Sequence, residues 1–180
     1  MGQNATVASS SNVQRRILAL VAAVSAVGML GCASDGDAGG QSARLSEELG
    51  ATVVQYISSW NTHDSNVLAG HFTANADMIM GNGPILEGRK AIDDWWRDYF
   101  AVQEPERGLT IEVVSTKSMT ADVALLNVRT TTGGRTDEGV DLLPRKARGT
   151  WVLVRQDGEW HISAMRGMPT QQDRIIRGGG

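Results

Sequence analysis

His63, Asp64, His71 and Asp77 fall within one short stretch, SSWNTHDSNVLAGHFTANADMIM, from Ser58 to Met80. Imidazoles titrate near neutrality and a carboxylate in an apolar setting can take a proton from carbon, so these residue types together are those of an acid/base site. Each also has a structural task open to it. Asp64 precedes an apolar-periodic segment, where its carboxylate accepts bonds from the free amides of a first helical turn, and it is read as an N-cap. His63 shares that turn and is read as solvated, and His71 as a partly buried, hydrogen-bonded histidine. Asp77 opens a strand, either as a hydrogen-bonding group at strand entry or as a side chain aimed into a pocket. His63, His71 and His161 are not spaced as metal ligands, so neither a metal nor another cofactor is expected.

Periodicity gives the elements that position these groups. Leu45, Leu49, Val53, Tyr56 and Trp60 form one helical stripe, and a short helix with Val67, Leu68 and Phe72 buried follows the turn at Asn61 to His63. ADMIM and ILEG read as strands about a GNGP turn, and RKAIDDWWRDYFA as a third helix, with Ile92, Trp95 or Trp96, and Tyr99 or Phe100 inward. The remainder is strands. LTIEVVSTKSMT alternates through Leu109, Ile111 and Val113; ADVALLNVRTTT follows; RGTWVLVRQ and EWHISAMRGM are joined by Asp157-Gly158, a strong hairpin signal. Helices followed by long antiparallel strands make an α+β domain with the helices on one sheet face. In the second long strand, Asn127 and Arg129 alternate with Leu125 and Val123 and are placed on the pocket face. Trp60, Trp96, Phe100, Met78 and Met80 suit either a flexible apolar lining or plain core. Arg166 is either a cation for an anionic ligand or the partner of an acid at the rim.

The 180 residues are 41% hydrophobic, enough for one core. Arg15 and Arg16 precede an apolar run, Ile17 to Leu30, short for a membrane span and of signal-peptide length. Met29-Leu30-Gly31-Cys32 resembles the bacterial lipobox, which implies cleavage after residue 31, acylation of Cys32, and an exported protein held at the cell-envelope membrane. Cys32 is the single cysteine, so no disulfide forms. Residues 32–43 are Gly/Ser/Asp-rich and read as a flexible tether about 20 Å long, residues 44–170 as the domain, and residues 171–180 as a disordered tail. Without the leader's two arginines, 15 basic side chains face 20 acidic ones. That balance argues against nucleic acid as the partner.

The order of elements, with the Trp60-Asn61 to Asp64 turn, Phe72, Ala76-Asp77, Gly88 with Ile92, and Thr150 through Trp160 to Ala164, resembles the nuclear-transport-factor-2-like superfamily and its SnoaL-like and SgcJ/EcaC-like groups. The resemblance covers about Leu45 to Thr170. It implies a cone, a strongly curved mixed sheet wrapped around a layer of three N-terminal helices with an apolar pocket, and homodimerisation through the outer sheet face. It puts Tyr56 at the hydrogen-bond donor position of the superfamily's enzymes, while their base position falls at or beside Met80, which takes no proton. The expectation is a lipid-anchored protein whose domain binds a small apolar or weakly anionic ligand, or a partner, without converting it. Tyr56, Trp60, Met78, Met80, Trp96, Phe100, Asn127, Arg129 and Arg166 are its candidate contacts. The alternative is an acid/base isomerase, cyclase or dehydratase with Tyr56 as donor and Asp77 as base.

Overall fold

Asp64 begins the fold's first sharp reversal. Its Oδ1 accepts from the amides of Asn66 at 3.0 Å and Val67 at 3.1 Å, capping α2 (Ser65–Ala69). His63 takes up the left-handed backbone at φ 56°, which turns the chain out of α1 (Gly36–Trp60). The computed structural model describes residues 36–170, so Cys32, the leader and the tail lie outside the described residues. α1 starts at Gly36, inside the stretch expected to be a tether, and from Gly39 to Arg44 its side chains are exposed. Helix propagation from a packed segment adds one backbone bond per residue, so no apolar stripe is needed for it and periodicity does not register it. Further on, Leu49, Val53, Tyr56 and Trp60 bury the stripe. Val67, expected inside, is 48% exposed, because a one-turn helix turns only Leu68 and Ala69 inward.

The chain then runs through β1 (Phe72–Met80), β2 (Leu86–Glu87), α3 (Gly88–Ala101), β3 (Gly108–Thr120), β4 (Val123–Arg135), β5 (Asp141–Gln156) and β6 (Glu159–Pro169). These strands form one sheet in the order β2-β1-β6-β5-β4-β3, with β1 parallel to β6 and every other pair antiparallel. Asp157 at φ 53° and Gly158 at φ 85° make the tight β5–β6 turn, both in the left-handed region that suits the strand twist. Ile92 and Trp96 of α3 and the α1 stripe bury against Ala76, Met78, Ala124, Leu126, Val128, Trp151, Leu153, Ile162 and Met165 of the sheet. Val113, expected to alternate inward, is 39% exposed, because its edge strand runs beyond the helix cover.

Arg107 ties the end of α3 to the far strands. It is 3% exposed, and its guanidinium donates to Glu104 at 2.8 Å, to the Leu143 carbonyl at 3.0 Å and to the Thr132 carbonyl at 3.4 Å. The Arg107 bond, with a backbone amide, holds the Glu104 carboxyl down to about 2 from 4.5. A depressed carboxylate stabilises the fold above its unfolded value, and that contribution is lost as pH falls from 4.5 through about 2. Arg107→Ala is therefore expected to lower unfolding free energy by about 3 kcal/mol in urea titrations. Glu104→Gln is expected to flatten the loss of stability over that acid window relative to the parent.

Candidate functional site

Tyr56 sits at the centre of the packed interior, 2% exposed. Its ring meets Trp151 at 4.7 Å, His71 at 5.8 Å and Phe72 at 6.4 Å between centroids. Burial, and to a lesser degree Tyr99, pushes the phenol far above its ordinary range, so it stays protonated as a donor. Asp77 is elsewhere. Its strand neighbours Ala76 and Met78 are fully buried, and alternation turns Asp77 to the opposite face of β1. There its Oδ2 accepts from Arg166 Nη2 at 2.5 Å, across the parallel β1–β6 pairing. Of the two roles open to each, the structure gives Arg166 the acid partner and Asp77 the ion pair. The expected donor and base thus lie on opposite sides of one sheet, and the sheet stands between them.

The aromatic candidates do come together. Trp60 packs edge-on against Phe100 at 5.3 Å, Trp96 stacks on Phe100 at 5.6 Å, and Tyr99 stacks on Trp95 at 5.3 Å. Trp60, Trp96 and Met78 are all buried in the core. Met80 lies over Gly167, its register partner, where an added Cβ would stand 2.6 Å from the Met80 sulfur. His63, expected in solvent, is instead stacked on Phe100 at 5.0 Å, with its Nε2 3.1 Å from the Arg107 carbonyl. Two buried polar atoms on α3 find no partner among the described residues, Trp96 Nε1 and Asp93 Oδ1.

Asn127 and Arg129 depart from expectation. Ala124, Leu126 and Val128 are the inward residues of β4, so Val123, Leu125, Asn127 and Arg129 occupy its outer face. Asn127 donates to Ser115 at 3.0 Å and accepts from Thr150 at 2.9 Å, and Arg129 pairs with Glu112 at 2.9 Å in the open. Neither reaches the interior.

His71 is partly buried and hydrogen-bonded, as its position implied, with Nε2 2.8 Å from Ser59 Oγ. Burial and then the neighbouring His161 lower its pKa, which keeps the ring neutral near pH 7. His161 Nδ1 is buried without a partner among the described residues. Both histidines line an open groove of about 460 Å3 between α1 and the β5–β6 hairpin. Sequence reasoning passed over the anchor of that groove. Glu48 Oε2 accepts from Arg155 at 2.6 Å and Trp160 Nε1 at 3.0 Å, while Arg155 lies over the Trp160 ring at 4.6 Å. Those bonds, Trp160 first, lower the Glu48 pKa. Only the exposed glutamate on α1 and the hairpin arginine hinted at it, and their separation along the chain hid the pairing. Among the described residues no cluster of three His, Cys, Asp or Glu side chains could hold a metal.

Residues 53–161 match the SnoaL-like domain family. Comparison with curated protein sequences finds no match. Among solved structures the chain is similar to Aln2 from a Streptomyces species, at TM-score 0.65 and 17% identity over 74% of this chain and 95% of that one. It is also similar to a ketosteroid isomerase-like protein from Erwinia carotovora atroseptica, at 0.57 and 16% over 68% and 94%. A domain of unknown function with a cystatin-like fold from Nostoc punctiforme gives 0.58 and 22% over 71% and 79%. At such identities the likeness is one of fold. With the family match spanning more than half the chain, and helices packed on the inner face of a curved six-stranded sheet, the protein belongs to the SnoaL-like domain family of the nuclear-transport-factor-2-like superfamily.

Proposed function

We propose that this protein is a binding protein of the bacterial cell envelope, anchored through a lipid on Cys32, whose cone takes up a small apolar or weakly anionic molecule without converting it. The observation that carries this reading is the separation of Tyr56 from Asp77. A proton abstractor must come within hydrogen-bond reach of the atom that a donor polarises, and a β-sheet lies between these two. Asp77 is also engaged by Arg166. The ketosteroid isomerase-like neighbour shows that enzyme-related chains share this fold, but function is argued from the site.

Trp96 supports binding. An indole N–H left unbonded in a core costs about 1–3 kcal/mol, and a guest with one acceptor, or a water, removes that cost. The surrounding rings give the guest apolar walls, and Met80 and Phe100, only partly buried, are side chains that can yield to it. On the outer sheet face Val123, Leu125, Val152, Val154 and Ala164 lie side by side in register and half-buried, a surface that a second copy of the chain would cover.

Native and denaturing mass spectra of the full chain in detergent test the ligand. A retained small molecule is expected, recovered chemically unchanged, with retention reduced in Trp96→Phe and preserved in Asp77→Asn. Conversion of that molecule by the parent protein, abolished in Asp77→Asn or Tyr56→Phe, would instead establish the acid/base enzyme. For the anchor, Cys32→Ser is expected to remove the acyl mass and release the protein from the membrane fraction. A variant that stays membrane-bound would refute it.

A further inference from the structure

On the outer face of the sheet the strand register concentrates positive charge. Arg129 of β4 and Arg148 of β5 are directly opposite each other, and in the same ladder Thr131 faces Lys146. Like charges opposed across two strands are destabilising. Glu112 of β3 pairs with Arg129 from the other side at 2.9 Å, with both side chains more than half exposed. Arg148 forms no ion pair among the described residues. Two guanidiniums against one carboxylate leave this patch positive on a chain of formal net charge -3. The same side chains, with Lys146 and the hydroxyls of Thr110 and Thr131, line an open groove of about 410 Å3.

We propose that this groove binds a phosphate dianion, carried by a small phosphomonoester or by a lipid headgroup. Phosphate answers the chemistry of the walls. Two planar guanidiniums, an ammonium and the Thr131 hydroxyl are donors, whereas the Thr110 hydroxyl already donates to the Thr131 carbonyl at 3.3 Å, and a phosphate offers several strong acceptor oxygens at once. Its charge removes the repulsion between Arg129 and Arg148. The organic part has a surface to lie on, because Met168 is the β6 register partner of Arg148 and is 59% exposed. A groove of this size falls within the range of small-molecule sites. Its charged side chains all lie on the outer face, away from the cone interior, and the site stands whether or not the reading proposed above holds.

The experiment titrates the full chain in detergent with inorganic phosphate and with phenyl phosphate at constant ionic strength in chloride. It also measures flotation of the Cys32→Ser chain with phosphatidylcholine vesicles that contain or lack phosphatidic acid. Arg148→Gln is expected to weaken binding by about tenfold or more. Glu112→Gln, which removes the competing carboxylate, is expected to tighten it several-fold, and Asp98→Asn, an exposed acid on α3, to leave it unchanged. Saturable binding of the soluble phosphates assigns a small phosphomonoester, whereas flotation that needs both phosphatidic acid and Arg148 assigns a headgroup. Circular dichroism checks folding, and Lys146→Gln replaces Arg148→Gln should the latter not fold. The proposal is overturned if neither form of phosphate binds above the chloride background, or if binding persists unchanged in the folded cation variant.

Discussion

Neighbouring residues of a strand point to opposite faces, and that constraint decides most of what this molecule can do. Along β1 the alternation sends Ala76 and Met78 inward, which leaves Asp77 outside. Along β4 it sends Ala124, Leu126 and Val128 inward, which leaves Asn127 and Arg129 outside. A single step of register would exchange the two sets and bury an aspartate and an arginine, so the pairing is strongly specified. The chemistry is thereby divided. Apolar rings and one sealed phenol occupy the inside, while Asp77, Arg129 and Arg166 are held on the outside.

The inside has little freedom of its own. Trp60, Trp96, Tyr99 and Phe100 contact one another edge to face or in offset stacks, and such pairs contribute about 0.5–1.5 kcal/mol each beyond their burial. A guest competes with those contacts, so only the rings at the margin of the cluster can be displaced at small cost. Trp60 and Trp96 are enclosed, whereas Tyr99, Phe100 and Met80 are only partly buried. The Trp96 N–H is one of three buried side-chain polar atoms without a partner among the described residues, with Asp93 Oδ1 and His161 Nδ1, and it is the one set among the rings of this cluster.

Much of this was legible in the sequence, and what was not has a common cause. The cap at Asp64, the Asp157-Gly158 turn, the α1 stripe and the burial of Ile92 follow from local chemistry and were readable from it. The face of β4 was not, because both of its parities are apolar. Val123 and Leu125 alternate with Ala124, Leu126 and Val128, and a period of two cannot say which set the helices cover. Asp77 was half legible, since it lies three positions before Met80 and that odd spacing already puts the two on opposite faces. Arg107 and the Glu48–Arg155–Trp160 anchor depend on contacts between segments far apart in the chain, which no local pattern encodes.

The outer face and the free edge differ in how they meet another surface. β3 is a 13-residue edge strand with Val113, Val114 and Met119 exposed, a combination that invites pairing with a second chain. Its register slips between Val113 and Ser115 and again between Ser118 and Thr120. Bulges of this kind leave a residue unpaired, bend the strand and interrupt the ladder that an incoming strand would extend. Lys117 adds a charge between the two slips. The edge is therefore blunted, and the outer face carries apolar rows toward one end of β4 and β5 and the Arg129–Arg148 pair toward the other. A face so divided offers apolar area at one end and positive charge at the other.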